Sequence, residues 1–194
     1  MVSRDVELSD GVVILRPPGP DDVKGLFAAV HESRDALRPW MGWVSDDYTI
    51  ADTRTWIESQ PSNWEEGAHY GFLITDDEGT VLGTCGLGHP NNVHRFANLG
   101  YWVRSGRRGE GIAGRATRLL AAFGFRELDL VRVEIVVSVG NAASLRVAEK
   151  VGARREGVLR NRILVRDAVH DAVMHSLVPA DLGLEPRMEE GGNG

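Results

Sequence analysis

Residues 99–128 read as a strand, a glycine turn and a helix in direct succession, and this unit constrains the chain more than any other stretch. The apolar run Leu99-Gly100-Tyr101-Trp102-Val103 leads into Arg108-Gly109-Glu110-Gly111-Ile112-Ala113-Gly114. From there Ile112, Ala116, Leu119, Leu120 and Phe123 recur at helical spacing. A turn of this kind leaves the first helical N–H groups unpaired at the positive end of the helix dipole. Glycine lets a ligand approach the backbone closely, so such an end suits a phosphate or pyrophosphate. No Gly-Lys-Ser/Thr follows, so this is not a Walker loop. Taken alone, the turn fits a capped surface loop equally well. A second segment, Asn141-Ala142-Ala143-Ser144, follows the β-rich residues 132–138 and opens another helix. Together the two segments point to a nucleotide-tailed cofactor in an enzyme.

The rest of the chain supplies an alternation of strands and helices without internal repeats or long linkers. Residues 12–16 read as a first strand, and Pro20-Asp21-Asp22 opens a helix, with proline in the first turn and acids at the N-terminus. Residues 33–43 read as a second short helical piece and residues 50–59 as a third. Residues 69–75 and 80–87 form a hairpin around Asp76-Asp77-Glu78-Gly79. A polar loop over 88–95 precedes a strand over 96–104. The helix capped by Asn141 ends near Gly152, and residues 156–165 and 170–178 make a last hairpin around Arg166-Asp167. Residues 1–179 are then one domain, and residues 180–194, ending Glu-Glu-Gly-Gly-Asn-Gly, are expected to be a disordered tail.

Arg108-x-x-Gly111-x-Ala113 resembles the pyrophosphate loop of the GCN5-related N-acetyltransferases (GNAT), and Asn141-x-x-Ser144 with Val147-Ala148-Glu149-Lys150-Val151-Gly152-Ala153 resembles their next block. Three further runs are similar to the RimJ/RimL-type ribosomal-protein N-terminal acetyltransferases: residues 37–43 (LRPWMGW), 99–103 (LGYWV) and 155–161 (REGVLRN). The resemblance covers residues 8–178 and implies a single-domain α/β fold. Its central sheet would be mixed, mostly antiparallel, splayed between two middle strands and flanked by helices. It implies acetyl-CoA as cosubstrate and no metal. The pyrophosphate would rest on the loop Arg108, Gly109, Glu110, Gly111, Ile112, Ala113 and Gly114, chiefly through backbone amides. The pantetheine arm would run along residues 99–104, where a backbone N–H of Trp102 or Val103 polarises the thioester carbonyl. Asn141 is either a helix N-cap or a ligand of that arm. Ser144 is either an ordinary helix residue or the proton donor to the departing thiolate.

No general base matches the family's usual position, which Ile163 occupies. His175, in the last strand, is the strand-borne substitute, although a lone strand histidine is more often structural. Trp40 and Trp43 are candidates for an aromatic wall beside the acceptor, with packing as the alternative. An α-amine of pKa near 7.8 is about one-third neutral at pH 7.5, whereas a lysine amine at about 10.4 is neutral roughly once in a thousand. A site without a strong base therefore suits a protein N-terminal α-amine better than lysine. A small-molecule amine, antibiotic or metabolite, and a non-catalytic CoA-binding sensor are the alternatives.

Composition limits the other possibilities. The 194-residue chain is 42% hydrophobic and 26% charged, as expected of one globular domain. Its net charge of −6 argues against nucleic acid as the main partner. The single cysteine, Cys85, cannot form an internal disulfide and fits a cytoplasmic location. No apolar run reaches the roughly 20 residues of a membrane span. Oligomeric state stays open, with a homodimer among its forms.

Overall fold

The computed structural model describes residues 2–185. Along the chain lie β1 (Leu8–Ser9), β2 (Ile14–Arg16), α1 (Val23–Leu37), α2 (Ile50–Glu65), β3 (His69–Thr75), β4 (Val81–Asn91) and β5 (Phe96–Val103). They are followed by α3 (Ile112–Glu127), β6 (Arg132–Ser138), α4 (Ala142–Lys150), β7 (Arg154–Val165) and β8 (Ala168–Leu177). The strands form one sheet in the order β1-β2-β3-β4-β5-β6-β8-β7. Every neighbouring pair is antiparallel except β5–β6, which is parallel and joined over Phe96–Asn98 against Arg132–Glu134 alone. Beyond Asn98 the two strands part, which is the splay expected of the fold.

Period-two alternation along the strands sends side chains to two separate cores. On one face, Phe72, Leu87 and Leu99 pack with Ile112, Ala116, Leu120 and Phe123 of α3. On the other, Leu73 and Trp102 pack with Leu26, Val30 and Leu37 of α1. Each fully buried side chain of this size is worth about 1.5–3 kcal/mol, so both helical layers are anchored independently.

Several boundaries differ from those expected. Residues 33–43 are not a separate helix: α1 runs unbroken to Leu37, and Pro39, which cannot donate a backbone hydrogen bond, ends it in tight turns. α2 runs past its expected end, through Pro61, to Glu65. Trp64 is 3% exposed and packs edge-on against Tyr70 and Phe72 and at a tilt against Phe123. That packing outweighs the hydrogen bond lost at the proline. β4 extends to Asn91, into the expected loop, and β1 precedes the first strand expected from the sequence. Residues 180–184 fall within the expected tail. There Pro179–Leu182 forms a 3-10 turn, and Leu182 and Leu184 pack on the core. Residues 186–194 lie outside the described residues.

Candidate active site

The wedge between β5 and β6 is the centre of the site. Arg104 N–H donates to Leu82 O at 2.7 Å on the β4 side, while Arg95 O accepts from Val131 N–H at 2.8 Å on the β6 side. Strand alternation therefore turns the backbone groups of Leu99, Tyr101 and Val103 toward the wedge and those of Gly100 and Trp102 toward β4. Of the two N–H groups expected to meet a thioester, that of Val103 faces the wedge. That of Trp102 belongs to the β4 ladder, and only the Trp102 side chain, buried on the α1 face, reaches the site.

The glycine turn closes the open end of the wedge. Gly109 and Gly111 both have left-handed backbones (φ 86° and 79°), and a Cβ at either would meet no atom within 4 Å. Gly111 is the N-cap of α3 and has no side chain to cap it, so the N–H groups of Ile112, Ala113 and Gly114 face outward. The loop is aimed by α1: Arg104 pairs with Glu32, Gly106 N–H donates to Glu32 Oε1 at 2.7 Å and Ser105 N–H to Ser33 Oγ at 2.9 Å. Arg108 is exposed beside the turn. Glu110, expected among the ligand-binding residues, pairs with Arg107 at 2.9 Å.

On the opposite wall, Asn141 Oδ1 accepts from Ser144 N–H at 3.2 Å, the N-cap arrangement. Tyr101 Oη donates to Ser144 O at 3.3 Å, spanning the wedge from β5 to α4. Burial pushes the Tyr101 phenol up to about 12, so it remains a donor at neutral pH.

On the α1–α2 face the wedge opens into two adjoining cavities. The outer one, about 410 Å³, lies among Trp43, Tyr48, Trp56 and Trp102, with Asp47 and Asp52 at its rim. The inner one, about 230 Å³, is floored by Gly86, Gly88 and Gly100 and holds His69, His89 and Asn98. Trp43, 48% exposed, meets Trp102 at 6.3 Å and Tyr48 at 5.6 Å between ring centroids. Asp52 is bound by the Thr49 hydroxyl and backbone, which lower its pKa and keep it anionic. The tip of the β7–β8 hairpin grips the loop after α1, through Arg166 Nη2 donating to Val44 O at 2.7 Å.

Two expected residues lie elsewhere. His175 is fully buried and pairs across β8 with Ile135, whose face of the sheet packs on α3 and α4. Burial lowers its pKa. It is a core histidine and lines neither acceptor cavity. Trp40 lines neither cavity; its ring lies against Gly140, where a Cβ would come within 3.4 Å. Trp43 lines both cavities. Ile163 pairs with His170 on the edge hairpin. Among the described residues no group of His, Cys, Asp or Glu is arranged to hold a metal, and no helix is long and apolar enough to cross a membrane.

The sequence reading missed His69, Tyr48 and Asp52. A signal for His69 exists in the Gly86-x-Gly88 spacing of the adjoining strand, which leaves room for a large side chain, but reading it requires the strand register.

A splayed β5–β6 pair closed by an uncapped glycine turn, and opening onto an aromatic cleft, defines an acyltransferase of the GNAT class. The family described as Acetyltransferase (GNAT) domain matches residues 13–154, and the chain belongs to it. YdaF of Bacillus subtilis (strain 168), provisionally named a ribosomal N-acetyltransferase, is 30% identical over 172 residues, 86% of this chain and 91% of that protein. The ribosomal-protein-serine acetyltransferase of Escherichia coli (strain K12) is 23% identical over 156 residues, 80% of this chain and 87% of that one. Mycobacterium smegmatis RimJ in complex with CoA-disulfide shares the fold at a TM-score of 0.83 and 26% identity, over 93% of this chain and 90% of that one. This chain is an N-acetyltransferase of the GNAT type.

Proposed function

We propose that the protein transfers the acetyl group of acetyl-CoA directly to a protein N-terminal α-amine. The carrying observation is that β5 borders both the wedge and the aromatic cleft, so that donor and acceptor can meet along one strand. The residues of the wedge fit the donor. Outward N–H groups of Ile112, Ala113 and Gly114 would hold its pyrophosphate, and the free edge of β5 would pair with its amide-bearing arm. Arg108 adds charge beside them. Acetyl-CoA supplies a thioester whose acyl carbon accepts an amine. One of the wedge-facing N–H groups of Leu99, Tyr101 and Val103 would polarise the carbonyl, and the Ser144 hydroxyl would give a proton to the sulfur. RimJ, bound to CoA-disulfide, supports the donor assignment.

For the acceptor, Asp47 and Asp52 at the rim favour a cation, and Trp43, Tyr48 and Trp56 offer ring faces and apolar area to its first side chain. The relatives named for ribosomal proteins support a protein acceptor. Asp52, held by the Thr49 hydroxyl and backbone, has a lowered pKa and is thereby a poor base for lysine. Purified protein should acetylate a peptide with a free α-amine at least about 100-fold faster than the same peptide with a blocked N-terminus and one lysine, in line with the neutral fractions of the two amines. Mass spectrometry with thiol release reads both. Efficient transfer to lysine, or to a polyamine in preference to any peptide, overturns this acceptor.

A further inference from the structure

We propose that His69 is the general base of the transfer, with Asn98 Oδ1 holding the acceptor ammonium at the apex of the wedge. This inference rests on the amine acceptor proposed above and deepens it.

His69 opens β3 directly opposite Gly88 of β4, which in turn lies opposite Asn98 of β5. Side chains of His69, Gly71, Gly86, Gly88, Asn98 and Gly100 therefore share the face that carries the cleft. Gly86 and Gly88 leave room for the imidazole. A Cβ at Gly86 would lie 2.6 Å from His69 Nε2 and 2.7 Å from its Cε1, and one at Gly88 3.0 Å from Cδ2, whereas one at Gly71 would first meet Gln60 Oε1. The ring thus lies across β4, one strand spacing, about 5 Å, from β5. At Gly100, the next glycine toward the wedge, a Cβ would meet no atom within 4 Å. His69, Asn98 and Gly100 line the same inner cavity, so an amine seated at its β5 wall is within reach directly or through one water.

Asn98 supplies the second observation. It forms the last rung joining β5 to β6, where the wedge closes. Its Oδ1 is buried without a hydrogen-bond donor. An unmatched buried acceptor costs about 1–3 kcal/mol, and an ammonium in the inner cavity is the donor that would satisfy it. A histidine kept only for packing leaves the orphan oxygen of Asn98 unexplained.

The protonation state agrees. Burial first, and the neighbouring charge of His89 second, lower the pKa of His69, so its ring is neutral at pH 7 and ready to accept a proton. His89 on β4 and Tyr101 on β5 are the other titratable side chains bordering the inner cavity apart from the buried thiol of Cys85, while Asp47, Tyr48 and Asp52 border the outer one. α2 contributes the neutral amide of Gln60 beside Gly71.

In the step, His69 Nε2 takes one proton from the acceptor ammonium and later releases it to solvent. The freed nitrogen pair forms the N–C bond to the acetyl carbon as the C–S bond breaks, leaving its electron pair on sulfur. The second proton lost by nitrogen balances the thiolate, relayed through the Ser144 hydroxyl. Such a base also selects the substrate. Against an imidazole at or below 6.5, an α-ammonium near 7.8 gives up its proton at a disadvantage of at least about 20-fold, and a lysine near 10.4 at about 8000-fold.

The test is the pH profile of kcat/KM with acetyl-CoA and a free-α-amine peptide, from pH 5.5 to 9, beside an NMR titration of the His69 ring in the wild-type protein. The acid limb should coincide with the ring pKa. His69→Gln should bind CoA normally, lose about 100- to 1000-fold in kcat/KM at pH 7, and recover to within about tenfold at pH 9, where the amine deprotonates unaided. A ring pKa more than one unit from the acid limb overturns the proposal without needing any variant to fold. So does a folded His69→Gln protein with an unchanged profile; both leave the α-amine reading intact. Wild-type protein that transfers to no α-amine overturns that reading instead.

Discussion

Gly111 separates the demands of folding from those of the donor. Its backbone is left-handed at φ 79° and ψ 2°, and a Cβ there would meet nothing within 4 Å. Substitution therefore acts on stability through the backbone alone. For alanine the strain is about 1–2 kcal/mol, a fall in Tm of roughly 2–8 °C at this chain length. Asparagine and aspartate tolerate this conformation better. Gly111→Asp also places a carboxylate at the positive end of α3, worth about 0.3–1 kcal/mol to the free protein. The order of stability without ligand should thus be wild type, then Gly111→Asp and Gly111→Asn, then Gly111→Ala. Affinity for CoA should break that order. A carboxylate about 4 Å from a phosphate charge is repelled by roughly 1 kcal/mol in water and 4 kcal/mol at an effective dielectric of 20. Gly111→Asp should then bind CoA about 10- to 1000-fold more weakly than Gly111→Asn, and the gap should shrink with added salt. Calorimetric titration of CoA at two ionic strengths, beside thermal melts, reads both orders. Equal CoA affinity in the Asp and Asn variants at low salt would refute the placement of phosphate at this turn.

Ser144→Ala should lower kcat by about 10- to 1000-fold while changing CoA affinity only a few-fold, because the Asn141 cap uses the Ser144 backbone and survives the change; an unaltered kcat in single-turnover assays sinks the proton-donor role. Glu156 is held by Arg132 at 2.5 Å and by the Ser176 hydroxyl at 2.7 Å, with the Arg132 hydrogen bonds the larger cause of a pKa lowered to about 2. A carboxylate depressed in the folded state stabilises fully above its unfolded value, near 4.3, and loses that contribution as the pH falls toward 2. Melting temperature should fall across that window, and less so in Arg132→Met; identical acid profiles would show that the pair contributes nothing.

The donor side was legible because its signals are local. A strand, a left-handed glycine turn and an uncapped helix occupy contiguous residues, and Asn141 caps the helix that carries Ser144 three positions later. The acceptor side was not, because its residues meet only through register. His69 reaches the wedge across two strand pairings and a floor of glycines, none of which is adjacent in sequence. His175 was misplaced for a different reason. Ala172, Val173, His175, Ser176 and Leu177 of β8 are all buried, so alternation along an interior strand carries no sign of which face is the cleft. Trp40 and Trp43 lie three residues apart, yet turns after Pro39 send one to Gly140 and the other into the cleft. α2 outran its proline because Trp64 is anchored from outside the helix.

The strand that binds these parts together is β5, and it does so by being paired beyond Asn98 on one edge only. Toward β4 its ladder is continuous from Asn98 to Val103, which fixes the positions of Gly100 and Trp102 beneath the cleft. Toward β6 pairing stops at Asn98, which frees the groups of Leu99, Tyr101 and Val103. Closing the sheet would satisfy those groups and abolish the site, so something must hold the wedge apart. Three contacts do so. Tyr101 braces the N-terminal turn of α4 through Ser144 O. Arg118 of α3 donates to Val151 O at the other end of α4, at 2.9 Å. Trp40, from the loop that Arg166 grips, fills the space over Gly140. Each brace joins an element of the acceptor side or of α3 to the β6–α4 unit. The two walls of the wedge are thereby set by the same contacts: a shift of α4 large enough to close the wedge would break the Tyr101 brace and displace Ser144 with it.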